Sequence, residues 1–177
     1  MFHKDVMERM VKDEIFPLVD EQGNVIGQAT RRECHSGSKL LHPVVHLHVR
    51  DAAGRLYLQK RSMSKDIQPG KWDTAVGGHV DLGEDVFTAL LREAREELGL
   101  SGIKPEKLFS YVFESDVERE LVNAFTVVAD PGQITVDPME IDEGRFWELA
   151  EIDSSLGRGV FTPNFEHEYA KLKKIWE

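Results

Sequence analysis

Residues 78–100 read Gly78-His79-Val80-Asp81-Leu82-Gly83-Glu84-Asp85-Val86-Phe87-Thr88-Ala89-Leu90-Leu91-Arg92-Glu93-Ala94-Arg95-Glu96-Glu97-Leu98-Gly99-Leu100. Within this stretch Phe87, Leu90, Leu91, Ala94 and Leu98 recur at i, i+3, i+4, i+7 and i+11, which predicts an amphipathic helix over about Asp85–Leu98. Gly99 is suited to stop it, because glycine accepts the left-handed conformation that ends helices. The opposite face carries Arg92, Glu93, Glu96 and Glu97 as two i,i+4 pairs. Carboxylates crowded on one helix face repel one another unless a cation sits between them. Sites of that kind serve phosphate chemistry, where a divalent metal is shared between a few carboxylates and substrate phosphates. A solvated acidic face with an Arg92–Glu96 ion pair is the plainer reading. The Gly77-Gly78 loop and Glu84 tip the balance, since that loop brings backbone carbonyls towards the same metal.

The flanking segments alternate as strands should. Ile15–Val19 and Val25–Gln28 flank the turn Asp20-Glu21-Gln22-Gly23-Asn24 and read as a hairpin. Val44–Arg50 and Leu56–Arg61 flank Asp51-Ala52-Ala53-Gly54, and Trp72–Val76 leads into Gly77-Gly78. Leu108–Phe113, Leu121–Ala129 and Phe146–Leu149 complete the strands, and Phe165–Trp176 reads as a C-terminal helix. Thr30–His42 reads as irregular, residues 130–143 as an acidic loop with Asp137–Glu143 as a flap, and residues 1–14 as an N-terminal extension with a short helix. Mixed strands with a few helices predict an α/β layered sandwich in one domain spanning 1–177.

Composition narrows the function classes. The 177 residues are 41% hydrophobic, enough for a packed core. A formal charge of −10 argues against a nucleic-acid polymer or an anionic membrane as partner, but not against a small phosphorylated substrate. No apolar run approaches a membrane span, and residues 1–14 mix charges in a way no signal peptide does. The single Cys34 excludes an internal disulfide and suits a cytoplasmic protein. A homodimer is left open.

The stretch 78–100 resembles the Nudix box, G-x5-E-x7-R-E-U-x-E-E-x-G-U, with Ala94 the one soft departure from a larger aliphatic. With each of the seven fixed positions met by chance in ~5–7% of cases, a random match is about 10⁻⁸ or rarer per starting point. The resemblance implies a Nudix-type α/β/α sandwich with a mixed sheet, and Mg²⁺ or Mn²⁺ bound by Glu93, Glu96 and Glu97. It also implies that Arg92 orients a glutamate and that a metal-activated water attacks a diphosphate bond. Glu96, Glu140 and Glu143 are each candidates for the general base.

A second constellation consists of His35, His42, His79, Glu118 and Glu120, the two glutamates falling on one strand face by period two. Three imidazoles and two carboxylates suit an octahedral N/O site for Mn²⁺, Zn²⁺ or Mg²⁺, a second divalent metal. The set is similar in kind and order to the metal site of type I isopentenyl-diphosphate isomerase. That similarity runs from about Leu18 to Phe165 and includes Leu58-Gln59-Lys60-Arg61-Ser62, Pro69-Gly70 and Gly78-His79. It implies that Arg31, Arg61 and Lys65 bind the substrate diphosphate, for which cationic side chains are chemically suited. His46 and His48 share a strand face and read as packing or surface residues; Trp72 could stack on a base or serve the core, and Trp147 and Trp176 read as structural.

Two departures bear on function. The isomerase family carries a cysteine immediately before the Gly-His pair, where this chain has Gly77. It also uses a Trp before the late Phe-x-Pro segment, where Gly159 precedes Val160-Phe161-Thr162-Pro163. With a complete hydrolytic helix and no such cysteine, the chain is expected to hydrolyse a diphosphate rather than isomerise. Two alternatives stay open. One is a genuine isomerase using a non-cysteine acid, which conversion of isopentenyl diphosphate would reveal. The other is a non-catalytic ligand-binding module, for which the full set of Glu93, Glu96 and Glu97 would be unnecessary.

Overall fold

The computed structural model describes residues 14–64, 68–136, 141 and 143–177. The N-terminal helix expected within 1–14, Lys65, Glu140 and most of the acidic flap lie outside the described residues. The chain divides into two compact units. One is built from the chain up to His46, Gly77–Glu93 and Glu106–Phe125; the other from Leu47–Val76, Ala94–Pro105 and Thr126–Glu177.

In the first unit, β1 (Ile15–Val19) and β2 (Val25–Thr30) form the expected antiparallel hairpin. Gly23 in its turn has φ +89°, a conformation glycine adopts without strain. A one-turn helix α1 (Arg31–Cys34) follows, where the sequence reading had only irregular chain. Its cause is a capping box: Thr30 Oγ1 accepts from the Glu33 amide while the Glu33 carboxylate accepts from the Thr30 amide. The unit also holds the first part of β3 (Leu41–Arg50), flanked by β6 (Val76–His79) and by β8 (Arg119–Val128), which is followed by β7 (Glu106–Glu114).

In the second unit β4 (Leu56–Lys60) pairs antiparallel with β5 (Trp72–Thr74) and with β9 (Glu143–Trp147). Tyr57, which pairs with Phe146 on β9, explains the glycine two residues before that partner: a Cβ on Gly144 would sit 2.7 Å from the phenol Cζ. The expected strand Trp72–Val76 is in fact two, β5 and β6. Helix α3 (Leu149–Ser155), which the sequence reading missed, begins at Glu148, whose amide donates to Glu151 Oε1 at 3.1 Å. Helix α4 (Pro163–Trp176) starts on Thr162, which caps Phe165 N, with proline in its first turn. Tyr169 and Leu172 are buried along it, and Trp176 is half-buried beneath the guanidinium of Arg50.

Helix α2 (Val86–Leu98) is the predicted box helix. Asp85 caps its start by accepting from Thr88 N at 2.7 Å, and Gly99, at φ +64°, ends it with the Leu100 amide donating back to Ala94 O. Ala89, Leu90, Ala94 and Leu98 are fully buried. Phe87 departs from the predicted stripe: it is 46% exposed, and its ring meets Phe125 edge-on. Because Ala94 has no exposed surface, the soft position of the box is filled by a residue that simply fits.

Candidate active site

The histidine cluster lies wholly within the first unit. His35 follows the capped turn α1, His42 is the second residue of β3, His79 ends β6, and Glu118 precedes β8. One potential ligand atom from each of His35, His42, His79 and Glu118 lies within 4.8 Å of the others. Glu118 Oε2 is 3.0 Å from His35 Nε2 and 3.8 Å from His42 Nε2, and Glu120 Oε2 is 4.0 Å from His42 Nε2.

Phe16, fully buried on β1, floors the cluster. Its ring stacks on His79 at 4.5 Å and 3° and on His42 at 5.7 Å and 14°. The Nδ1 of His42 lies 3.0 Å from Leu40 O, which assigns that nitrogen the proton and turns the Nε2 lone pair inward. The Nε2 atoms of all three histidines are buried without a hydrogen-bond partner; the His35 contact to Glu118 is close but out of hydrogen-bond alignment. Orphaned buried nitrogens are costly, and three converging on two carboxylates are what a metal ion would satisfy.

Electrostatics favour the ligating forms. Burial first, then the positive charge of Arg31 and the neighbouring imidazoles, push His79 down to about 3. Burial likewise lowers His42, against the Leu40 carbonyl that raises it. His35 beside it holds the Glu118 carboxyl below its ordinary range. Neutral imidazoles and an ionised carboxylate are the forms that bind metal. Arg31 donates to Glu14 Oε2 at 3.0 Å, a contact the sequence could not show.

A second network centres on Arg92. Its Nε and Nη2 donate to the two oxygens of Glu84 at 2.9 and 3.0 Å, Nη1 donates to Glu93 Oε1 at 2.8 Å, and Nη2 also reaches His79 O at 3.1 Å. Glu84 in turn accepts from the Asp81 amide at 3.1 Å. Bidentate carboxylate pairing is the geometry that fixes a guanidinium. Glu84 raises the Arg92 pKa above its ordinary value, and Arg92 lowers that of Glu84. The fixed positions of the box 78, 84, 92 and 93 thus form one clamp. Gly78 belongs to it sterically: a Cβ there would lie 2.5 Å from Glu93 Oε1 and 2.6 Å from Cγ. Further along α2, in the second unit, Glu96 is exposed and Glu97 half-buried.

The remaining candidates separate. Arg61 lies in the second unit, 3.8 Å from Asp73 Oδ2, and Glu143 is exposed on β9. His48 and His46 part company: His48 is buried against an equally buried Glu168, whereas His46 is half-buried beside Gly77. Trp72 takes the core alternative, packing edge-on against Trp147 at 5.1 Å. Cys34 is fully buried with Phe16 and Ala29, and burial pushes its thiol up to about 11, so it is no acid for the site. Phe16 is the residue the sequence reading missed. The only signal for it was its place in a short strand.

A model of the NUDIX domain matches residues 40–165. The chain belongs to the Nudix family. It is a Nudix hydrolase by kinship, with an α/β fold around a mixed sheet. An uncharacterized Nudix hydrolase of Streptomyces coelicolor is 36% identical over 91% of this chain and 89% of its own length. An isopentenyl-diphosphate Delta-isomerase of Photorhabdus laumondii is 30% identical over 88% of this chain and 92% of its own. The crystal structure of DR0079 from Deinococcus radiodurans is 29% identical with a TM-score of 0.65, covering 80% of this chain and 90% of that one. No described helix is long and apolar enough to cross a membrane.

Proposed function

We propose that this Nudix enzyme cleaves a diphosphate linkage in a small phosphorylated metabolite, a nucleoside diphosphate derivative or a prenyl diphosphate, in the cytoplasm. The observation that carries the reading is the complete Arg92 clamp, which holds Glu93 against Gly78 on a helix that also carries Glu96 and Glu97. In this reading 1–177 is a single Nudix domain, and Glu93, Glu96 and Glu97, spaced along one helix face, hold Mg²⁺ or Mn²⁺. His35, His42, His79, Glu118 and Glu120 fit a second divalent ion, as their orphaned nitrogens support. Divalent metal supplies acidified water and neutralises phosphate charge. Arg92 holds Glu93 in place, a glutamate (Glu96, Glu140 or Glu143) accepts the proton of the attacking water, and Arg31 with Arg61 and Lys65 binds phosphate oxygens.

The isomerase reading draws on the His/Glu cluster and on relatives carrying that name. Against it stand Gly77 in place of the cysteine and the burial of the only thiol. Turnover of a panel of nucleoside and prenyl diphosphates, followed by phosphorus NMR for wild type and E97Q, tests the hydrolase reading. Loss of turnover in a folded E97Q protein supports it. Wild-type protein that turns over no diphosphate on the panel leaves the binding-module reading in its place.

A further inference from the structure

Two imidazoles of the histidine cluster differ in what fixes their planes. His42 is tied through Nδ1 to Leu40 O at 3.0 Å, the kind of outer contact that orients a metal-binding histidine. The His79 ring has no such tie: among the described residues its imidazole makes no hydrogen bond. The outer torsion of a histidine side chain is broad, so an untethered ring is oriented by what packs on it. For His79 that is Phe16, 4.5 Å away at 3°, the closest and most nearly parallel contact among these four rings. Phe16 also lies 14° from the plane of His42, and the two histidines are 17° from each other at 5.6 Å. Three rings from β1, β3 and β6 are thus nearly parallel, with only His35 tilted, at 52° to Phe16.

Phe16 is itself well fixed. It is fully buried with Ala29 and Cys34, and Leu18 and Leu40 pack against them. Its strand is held by the segments that carry the histidines. The Arg31 amide donates to Glu14 O at 2.9 Å at the head of α1, which leads to His35. The Leu82 amide donates to Ile15 O at 3.1 Å, three residues after His79. All of these residues lie in the first unit. Burial alone would be served by any large apolar side chain; what an aromatic ring adds is a flat face on which another ring can stack.

We propose that Phe16 is a positioning residue for the metal cluster, its flat face holding the imidazole of His79, and with it that of His42, in the orientation a divalent ion requires. This rests on the reading of His35, His42, His79, Glu118 and Glu120 as a metal site. A ring already held in its binding orientation loses little freedom when the ion arrives, so the stack raises metal affinity without touching the metal.

The test is calorimetric titration with Mn²⁺, the binding event of the cluster being the one that E118Q weakens. F16L and F16M keep the position apolar and near its volume but remove the flat face, so the fold should hold. Each should bind Mn²⁺ about 10–100-fold more weakly, the loss typical when an outer contact of a metal ligand is removed. L18A trims the same apolar cluster but removes no ring. It should lower the thermal midpoint and leave Mn²⁺ affinity at the wild-type value. Wild-type Mn²⁺ affinity in F16L and F16M overturns the proposal. An equal loss of affinity in L18A does so too, since Phe16 would then be one core residue among several. Failure of both Phe16 variants to fold counts against it in the same way. If E118Q leaves the Mn²⁺ binding of the protein unchanged, the metal-site reading itself falls, and the proposal with it. If E118Q weakens binding and the Phe16 variants do not, the proposal falls alone.

Discussion

The two polar networks of the first unit are built on opposite principles. Around Arg92 the hydrogen-bonding capacity is spent internally: Glu84, Glu93 and the His79 carbonyl all accept from one guanidinium. Around His42 it is left open, with three buried Nε2 atoms facing carboxylates and lacking hydrogen-bond partners. The first network needs no ligand to be satisfied and acts by fixing a side chain. The second gains its stabilisation only when something occupies it. Strand β6 joins them: Gly78 lies under Glu93, while His79 reaches the cluster with its ring and the clamp with its carbonyl.

Breaking each network should therefore fail in a different way. The largest effect is expected from E97Q, which removes a carboxylate from α2 and should lower hydrolysis on the order of 10²–10⁴-fold with the thermal midpoint unchanged. G78A should come next. The added methyl displaces Glu93 by a fraction of an ångström or more, and misplacement on that scale costs about 10²-fold in rate. Mn²⁺ affinity at the histidine cluster, read by calorimetry, should survive this change. E118Q reverses the pattern: affinity at the cluster should fall about 10–100-fold while the Arg92 clamp stays intact.

E84Q sharpens the comparison through pH. Arg92 depresses the folded pKa of Glu84, so its ionic pairing stabilises the fold above the ordinary carboxylate value. As pH falls below about 4.5 the unfolded chain takes up the proton first, and that stability is lost as pH drops through the depressed folded value. E84Q should cost about 1–3 kcal/mol at neutral pH and flatten this acid limb in thermal melts.

The sequence made the clamp legible because its members are local. Gly78, Glu84, Arg92 and Glu93 fall within one loop and two helical turns, where spacing dictates contact. The box helix was readable for the same reason, from the Asp85 cap to Gly99. The fates of His46 and His48 were not. Both sit on one strand face, and only packing against Glu168, 120 residues beyond His48, buries one and leaves the other beside a glycine. Phe16 was invisible likewise, since its stacking on His42 and His79 joins three distant segments. Helix α1 is a different case: Thr30-Arg31-Arg32-Glu33 carries a capping-box signature, and the short polar run around it obscured the signal.

The central claim is that the complete helix network, together with a glycine at 77 and a buried Cys34, makes this a hydrolase of the isomerase-like branch. A combined phosphorus and proton NMR time course with Mg²⁺ and then Mn²⁺, on isopentenyl diphosphate and a nucleoside diphosphate derivative side by side, tests it most directly. The account predicts new phosphate resonances from at least one substrate and no dimethylallyl diphosphate. Proton signals of dimethylallyl diphosphate would contradict it and make the enzyme an isomerase working without a cysteine.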